Sequence, residues 1–352
     1  MGKHESSKKD KPPRKKGRVL SVILIAVFTA LILGAIYIMK PPEQLLPPDP
    51  GRSEGIPQPG QPSLPNGSGG SADPDGSGGS IDTDPTPPRE LKDKFYTFLI
   101  AGTNDNYNTD TLMLGSIDMN TLKVNLVSIP RDTMVDVPAK IKRINGAYGR
   151  DGIEELCREV AEVTGVYPQY YALINVRSFT KIVDLVGGVD FYVPYRMYHP
   201  DAQEEYTIDL QKGQQRLTSK KALQLVRFRG TSQNDFGRIE LQKKFLLATL
   251  KQVKNEFSLD KIQDMISVIN ESIKTNMNTQ EMIWFYLNAA NKMNYDEDIT
   301  FHTMPYADTG KYQGQDYVYL DAEKVVELMN ATVNPYTTDL TEDDVHIIRL
   351  EN

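Results

Sequence analysis

Cysteine, tryptophan and histidine are scarce in this chain of 352 residues, which has one Cys, one Trp and four His. A single cysteine, Cys157, excludes an internal disulfide. Because Cys157 lies on an apolar helical stripe, we interpret it as a packed small hydrophobe rather than a nucleophile. The chain has no CxxC, HExxH, GxSxG or Walker motif, and no histidine has zinc-ligand or triad spacing from a Cys or Asp. Disulfide-stapled domains, zinc enzymes and Ser/His hydrolases are therefore disfavoured.

The net charge of −7 is unevenly distributed. Residues 1–18 carry eight Lys or Arg against two acidic residues, a balance of +6, which leaves −13 for the rest of the chain. An acidic body argues against nucleic acid as a partner held by bulk charge. It also makes a local cluster of arginines harder to explain by composition alone.

Residues 19–39 form an apolar run of 21 residues without a charge. At about 1.5 Å per residue, a helix of this length spans roughly 30 Å of hydrocarbon. The basic flank precedes the run, so the positive-inside rule predicts a cytoplasmic 1–18 and an extracellular C-terminal part. A secretory signal peptide is the alternative, but no small-x-small cleavage site follows the run. The pattern therefore predicts an uncleaved, single-pass signal-anchor in the cell membrane.

Residues 40–90 contain 13 Pro and 9 Gly among 51 residues. Too few large apolar side chains are present to offset the entropy of ordering, so the composition predicts a disordered linker. It would hold the following domain away from the membrane, or serve as a spacer without a length requirement.

From Leu91 onward, strand-like and helical patterns alternate. Short apolar runs bounded by turn residues predict strands, and apolar residues at helical spacing predict helices. The predicted strands are 95–102, 111–118, 122–129, 170–176, 189–193, 206–210, 299–304, 317–320 and 345–350. The predicted helices are 151–165, 178–186, 218–225, one from Gly237 onward, 258–273, 279–293 and 321–331. The mixture indicates a layered α/β domain.

The stretch 225–242 concentrates arginines. Arg227 and Arg229 are two apart, so on an extended backbone they point the same way, and Arg238 shares a helix face with Gln242. Guanidinium groups near a helix start, where backbone N–H groups are free, favour a phosphate or pyrophosphate. A solvated face, or arginines paired with local carboxylates, explains this stretch equally well on its own.

Further polar residues follow the predicted strands. Asp105 and Asp110 lie in the loop after the first strand, and Arg131 and Asp132 follow the third. Each group alone is typical of a turn or a local ion pair. Together with the arginines they favour a magnesium–diphosphate site, because Mg²⁺ takes a few hard oxygen ligands and completes its shell with phosphate oxygens.

Five segments resemble, in order, motifs of the LytR-CpsA-Psr family. They read TDTLMLGSID, LVSIPRDT, RINGAYGRDG, VGGVDFYVP and LVRFRGTSQNDFGRIELQ. The arrangement of basic tail, membrane helix and external domain is also similar. The resemblance covers 91–255, the expected catalytic core, and does not extend to 256–352, the expected C-terminal part of the same extracellular domain.

The resemblance implies a central mixed sheet flanked by helices. It also implies a phosphotransferase that moves a glycopolymer, such as teichoic acid or capsule, from a polyprenyl diphosphate carrier to peptidoglycan. A role in transcription is disfavoured, because eighteen cytoplasmic residues are too few for a DNA-binding fold.

The resemblance further implies which residues contact the diphosphate. Arg131 of the IPRD segment, Arg227 and Arg229 of VRFR, and Arg238 with Gln242 would bind its oxygens.

It also implies a magnesium ligand, because Asp110 would bind Mg²⁺. The chemistry of transfer requires a carboxylate that accepts the proton of the attacking hydroxyl, and Asp110 and Asp132 are the two candidates. Arg131 is expected to act beside them at the reacting phosphate.

Two positions depart from the family pattern, because Asn104 and Asn108 stand where the family commonly has Asp and Arg. Asn104 keeps an oxygen ligand but loses a charge, and Asp105 is a possible replacement. A catalytically weak, membrane-anchored binder of polyprenyl-phosphate-linked polymer is therefore the alternative to an enzyme.

Overall fold

The computed structural model describes residues 40–44, 89–104, 107–202, 207–228, 234–256 and 262–349, with the backbone alone for 234–239, 262–265 and 268. The predicted anchor, most of the predicted linker, Asp105 and Arg229 lie outside these ranges. Within them, no helix is both long and apolar enough to cross a membrane.

Strands and helices alternate along the described chain, in agreement with the α/β prediction. The strands are β1 (Phe95–Thr103), β2 (Thr109–Asp118), β3 (Lys123–Ser128), β4 (Tyr170–Asn175), β5 (Val189–Val193), β6 (Met197–His199), β7 (Ile208–Leu210), β8 (Gly213–Leu217), β9 (Lys274–Thr275), β10 (Ile299–Thr303), β11 (Tyr306–Tyr312) and β12 (Gln315–Leu320). The α-helices are α1 (Ala147–Thr164), α2 (Val176–Leu185), α3 (Ser219–Arg227), α4 (Asn234–Glu256), α5 (Ile262–Ser272), α6 (Thr279–Phe285), α7 (Tyr295–Asp298) and α8 (Ala322–Thr332).

Six strands form a central mixed sheet in the order β10-β3-β2-β1-β4-β9. β1 is parallel to β4 and β3 is parallel to β10, whereas β2 runs antiparallel to both β1 and β3. The carboxyl ends of β1, β3, β4 and β10 therefore meet the amino end of β2 along one edge. Polar loops at such an edge are where α/β sheets usually bind ligands.

One face of the sheet packs on helices α1 and α8. Alternate strand residues such as Leu99, Leu114 and Val127 meet Leu156 and Val160 of α1 in a buried cluster. Cys157 is fully buried in the same cluster, and burial raises the pKa of its thiol to about 12. This confirms Cys157 as a packing residue.

The opposite face packs on α4, α6 and the π-helical turn Tyr286–Ala290. An apolar cavity of about 260 Å³ remains between them. Its walls include Phe98 and Ile100 of β1, and Leu246 and Leu250 of α4. A third cluster joins β5 and β8 to α2, α3 and α5.

Several predicted elements differ from the structure. Residues 345–349 form no strand among the described residues, and the helix predicted at 279–293 becomes π-helical after Phe285. Asp151 and Gly152 are non-helical, so α1 is kinked near its start, and Gly165 ends it in the left-handed conformation that glycine favours.

Arg227 also departs from the expected geometry. It is the last residue of α3, where an extended backbone was expected, because the apolar face of α3, including Ala222 and Leu225, continues the helix through Arg227.

Candidate functional site

A charge pair lies at the polar edge of the sheet. Nη1 of Arg131 donates to Oδ1 of Asp110 over 2.5 Å, and both side chains are partly buried. Nδ2 of Asn104 donates to Oδ2 of the same carboxylate over 3.0 Å. The end of β1, the start of β2 and the loop after β3 therefore converge on the Asp110 carboxylate.

The pair continues into a row of alternating charges. Asp132 lies between Arg131, with Nε 3.5 Å from Oδ2, and Arg143, with Nε 3.3 Å from Oδ1. Pro130 ends β3 because it has no N–H to donate, and both N–H and Oγ1 of Thr133 donate to its carbonyl, over 3.1 and 2.7 Å. This tight turn sets Arg131 and Asp132 side by side.

The loop formed by residues 143–146 is hydrogen-bonded to this turn and to neighbouring elements. The N–H of Asn145 donates to the Arg131 carbonyl over 3.2 Å, and Oγ1 of Thr109 donates to the Asn145 carbonyl over 3.3 Å. Nη1 of Arg150 donates to the Arg143 carbonyl over 3.3 Å. The loop that carries Arg143 is thus held by both the strand and the helix α1.

A buried ion pair holds Arg150 in turn. Nη2 of Arg150 donates to both carboxylate oxygens of Glu159, over 2.5 and 2.6 Å. The Glu159 residue is 1% exposed. This burial raises the pKa of its carboxyl from the ordinary 4.5 to about 7, against the lowering effect of Arg150.

Helix α4 contributes Gln242, as the sequence predicts for the fifth motif. Oε1 of Gln242 accepts from Oγ1 of Thr111 over 3.2 Å, and its Nε2 donates to the Val226 carbonyl over 3.4 Å. Gln242 therefore ties the residue after Asp110 to the residue before Arg227. Only the backbone of Arg238 is described, in α4 one turn before Gln242, and Arg229 and Asp105 lie outside the described residues.

Lys243 is a residue of this edge that the sequence interpretation missed. It is 6% exposed, and its Nζ donates to Oγ1 of Thr303 at the end of β10 over 2.9 Å. Burial lowers its pKa, and burial together with the nearby Lys243 lowers the pKa of His302. A Lys-Lys pair in a helix is usually solvated, so the sequence offered no signal for this burial.

The oxygen donors fit one kind of metal site. Among the described residues, no three His, Cys, Asp or Glu side chains lie together as a metal cage. Asp110 supplies a carboxylate beside one guanidinium and one amide, and it could serve an Mg²⁺ of the kind held by one or two carboxylates and by substrate phosphates. Oδ1 of Asp132 is buried without a hydrogen bond to a described residue, although Arg143 is near it.

The polar edge and the apolar cavity are joined by one ridge of α4. Gln242, Leu246 and Leu250 are spaced by four residues, so they lie along the same helix face. Gln242 contacts β2 at the edge, and the two leucines line the cavity. One face of α4 therefore carries a polar group at the edge of the sheet and apolar groups at the cavity.

The mixed sheet flanked by helices and the order of the five motifs point to one family, and a family comparison identifies it. Residues 79–334 match the model described as LytR_cpsA_psr family, and the chain belongs to that family.

Two individual proteins are similar in sequence to parts of this chain. The chain is 29% identical over 172 residues to Regulatory protein MsrR of Staphylococcus aureus, covering 48% of this chain and 51% of that protein. It is 31% identical over 215 residues to the Polyisoprenyl-teichoic acid--peptidoglycan teichoic acid transferase TagU of Bacillus cereus, covering 59% and 69%. The match to the first of these relatives thus spans about half of that protein's length.

Solved structures share the fold. The crystal structure of B. subtilis TagV has a TM-score of 0.59 and 23% identity, covering 68% of this chain and 98% of that one. The structure of TagT bound to LI-WTA has a TM-score of 0.54 and 19% identity, covering 67% and 88%. At these identities the likeness establishes the mixed sheet flanked by helices.

Proposed function

We propose that this protein is a membrane-anchored phosphotransferase that moves a glycopolymer from a polyprenyl diphosphate carrier to peptidoglycan. The observation that carries this proposal is the α4 ridge, with Gln242 at the charged edge and Leu246 and Leu250 along an apolar cavity. A lipid diphosphate is charged at one end and apolar at the other, and such a surface suits both ends. Family membership and the name of the TagU relative support the same activity.

The location of the domain is part of the proposal. Residues 1–18 remain in the cytoplasm, 19–39 cross the cell membrane, and 40–90 connect them to the extracellular domain. The charge asymmetry around the apolar run supports this orientation.

The reaction forms one P–O bond and breaks another. The oxygen of an acceptor sugar hydroxyl attacks the phosphorus that carries the polymer, and the bond from this phosphorus to the bridging oxygen breaks. Polyprenyl phosphate leaves with the electron pair, and the hydroxyl proton passes to a carboxylate, for which Asp110 and Asp132 are the candidates.

The basic residues stabilise the phosphates through charge. Arg131, Arg227, Arg229 and Arg238, together with Gln242, would bind the diphosphate oxygens. Asp110, with Asp105 as a second ligand, would hold Mg²⁺, which supplies positive charge to the departing phosphate.

A second function, retention of lipid-linked polymer without transfer, is favoured by one contact. Asn104 stands where the family commonly has a carboxylate, and its amide donates to Asp110. A site with one carboxylate fewer binds a divalent cation more weakly, because less negative charge faces the ion.

Transfer by the full-length protein in detergent tests the two functions. The donor is polyprenyl-diphosphate-linked polymer, the acceptor is a peptidoglycan fragment, and the products measured are released polyprenyl monophosphate and polymer-bearing fragment. Asp110→Ala and Arg131→Ala are expected to abolish both products while the protein stays folded. Arg216→Ala is the matched control, because it removes an Arg–Asp pair with Asp190 at 2.9 Å outside the site.

The result that separates enzyme from binder is turnover measured beside donor binding. If the natural chain and the variant carrying Asn104→Asp with Asn108→Arg both bind the donor and release no polyprenyl monophosphate, the enzyme function is wrong. The binding function then replaces it.

A further inference from the structure

A polar cleft of about 620 Å³ opens beside the charge pair, at the carboxyl ends of β1 and β4. Asn104, which donates to Asp110, forms part of its wall. Arg177, Glu271 and Lys274 bring charges of both signs to the lining. No step of the proposed transfer reaction uses this cleft.

Tyr107 stands at the cleft with 65% of its surface exposed. Its φ of 59° is in the left-handed region, which a non-glycine residue occupies at a cost. Its N–H donates to the Asn104 carbonyl over 3.1 Å, and a Cβ added at Gly149 would lie 3.5 Å from the Tyr107 carbonyl oxygen. The backbone is therefore held in a strained conformation that keeps a large ring in solvent.

A second aromatic ring adjoins Tyr107. The ring centroids of Tyr107 and Tyr148 are 6.2 Å apart at 47°, and Nζ of Lys274 lies 5.9 Å from the Tyr148 centroid. Oγ of Ser272, another lining residue, is buried without a hydrogen-bond partner among the described residues. Aromatic faces beside hydroxyl, amide and charged groups are the chemistry that recognises a sugar ring, whose C–H face packs on the aromatic ring while its hydroxyls form hydrogen bonds.

The face of the sheet on which the cleft lies indicates whether the cleft would hold a sugar of the acceptor or a sugar of the transferred polymer. Leu173 lines the cleft and belongs to the core on the α1 face, whereas the apolar cavity lies on the α4 face. In phosphoryl transfer the attacking and leaving oxygens are roughly in line across the phosphorus. If the polyprenyl tail of the leaving group occupies the cavity on the α4 face, the attacking hydroxyl approaches from the opposite face.

We infer that the cleft binds a sugar ring of the acceptor glycan, with Tyr107 packed against that ring. This inference rests on the proposed function for the role of the sugar as acceptor. The hydroxyl of that sugar forms the new bond to the polymer-bearing phosphorus, as polyprenyl phosphate leaves and the hydroxyl proton passes to a carboxylate at the edge.

Tyr107→Asn is the informative variant, because Asn tolerates the left-handed conformation but has no ring. Tyr107→Phe retains the ring, and Tyr192→Asn removes a different tyrosine that is 55% exposed. For the full-length protein in detergent, we measure KM for a peptidoglycan glycan fragment and Kd for the lipid-linked donor. Tyr107→Asn is expected to raise the acceptor KM about tenfold, as for the loss of one aromatic contact, with donor Kd unchanged. The other two variants are expected to match the natural protein.

Two results overturn the inference. If Tyr107→Asn weakens donor binding and leaves the acceptor KM unchanged, the cleft holds a sugar of the polymer. If neither quantity changes, no sugar packs on Tyr107.

Direct binding keeps the test independent of transferase activity. Titration of the natural protein and of Tyr107→Asn with a glycan fragment of peptidoglycan, without donor, is expected to show binding that weakens about tenfold in the variant. If the natural protein transfers no polymer but shows this binding, the proposed function fails and the sugar site stands. If the natural protein does not bind the fragment, the sugar site is wrong even where transfer is observed.

Discussion

Asp110 and Arg131 hold each other at 2.5 Å across the polar edge, in a row where Asp132 and Arg143 repeat the same alternation. The row of two carboxylates and two guanidiniums has no net charge. Its basic groups are already oriented by carboxylates, so little rotamer entropy remains to be lost when a phosphate binds. An anion must, however, compete with Asp110 for Arg131.

The first prediction concerns Arg131. Arg131→Ala removes a charge-assisted contact to the diphosphate, worth about 1.5–3 kcal/mol, and should weaken donor binding roughly ten- to a hundredfold. Arg131→Lys should recover only part of this affinity, because an ammonium cannot bind two oxygens in a planar fork. Binding of a labelled lipid diphosphate measures the effect, with Arg216→Ala as the control. Equal affinity of Arg131→Ala and the natural protein would show that the pair of Arg131 with Asp110 is purely structural.

The second prediction concerns Asn104. In Asn104→Asp an amide that donates to Asp110 over 3.0 Å becomes a second carboxylate at the same distance. The two carboxylates repel each other when no cation is bound, and together they attract a cation when one is present. We expect a lower melting temperature in EDTA and a larger stabilisation by Mg²⁺ than the natural protein shows. Ca²⁺ and Na⁺ titrations at equal ionic strength are the controls, and an unchanged response to Mg²⁺ would count against a cation at Asp110.

The third prediction tests the apolar cavity through Gly115. An added Cβ would lie 2.5 Å from ring carbons of Phe98 and 2.8 Å from Cδ2 of Leu126. Gly115→Ala should therefore force the Phe98 ring towards the cavity, at a cost of about 1–3 kcal/mol. Affinity should fall more for a long polyprenyl phosphate than for a short prenyl diphosphate.

The rescue variant sharpens this test. Combining Gly115→Ala with Phe98→Leu makes room again and should restore the preference for the long chain. If the single variant binds long and short chains with equal relative loss, the cavity is ordinary packing space and not a lipid site.

The fourth prediction concerns pH and Glu159. Burial raises the folded-state pKa of Glu159 to about 7, whereas the unfolded carboxyl titrates near 4.5. The folded protein thus binds this proton more tightly, so the contribution to stability is full below pH 4.5 and is lost as the pH rises through 7. Between pH 5 and pH 8, the free energy of unfolding should fall by about 2–3 kcal/mol relative to Glu159→Gln.

The chain contains its own probe for this measurement. Trp284 is the single tryptophan and is 6% exposed, so its fluorescence reports unfolding of the sheet and its helices. A constant difference in unfolding free energy between the two proteins across this pH range would contradict the raised pKa.

The strands and helices that the sequence predicts correctly are those whose buried residues form a regular pattern along the chain. β1 and β2 were predicted within two residues at either end, because their apolar residues form continuous runs bounded by polar loops. β8, with the sequence GQQRL, was missed because its residues are polar and it is stabilised by pairing with β5. Such long-range pairing is absent from any local pattern.

The site residues that the sequence predicts are those that belong to a motif. Asp110, Arg131, Asp132 and Gln242 were predicted from motif positions, and the structure brings them to one edge. Hydrogen bonding between Gln242 and Thr111 joins residues 131 positions apart, and no periodicity indicates it. The roles given to all of these residues, and to Asp105, Arg227, Arg229 and Arg238, remain predictions from the sequence.

The parallel pairing of β10 with β3 brings Ile299–Thr303 beside Val124–Ser128. A folding chain leaves β3 as an unpaired sheet edge until residues about 175 positions further along have joined the sheet, and such an edge invites pairing with other chains. Loop closure over this distance slows folding. Residues beyond 255 therefore complete the central sheet, and a domain truncated before Ile299 should aggregate, as sedimentation of the purified fragment would show.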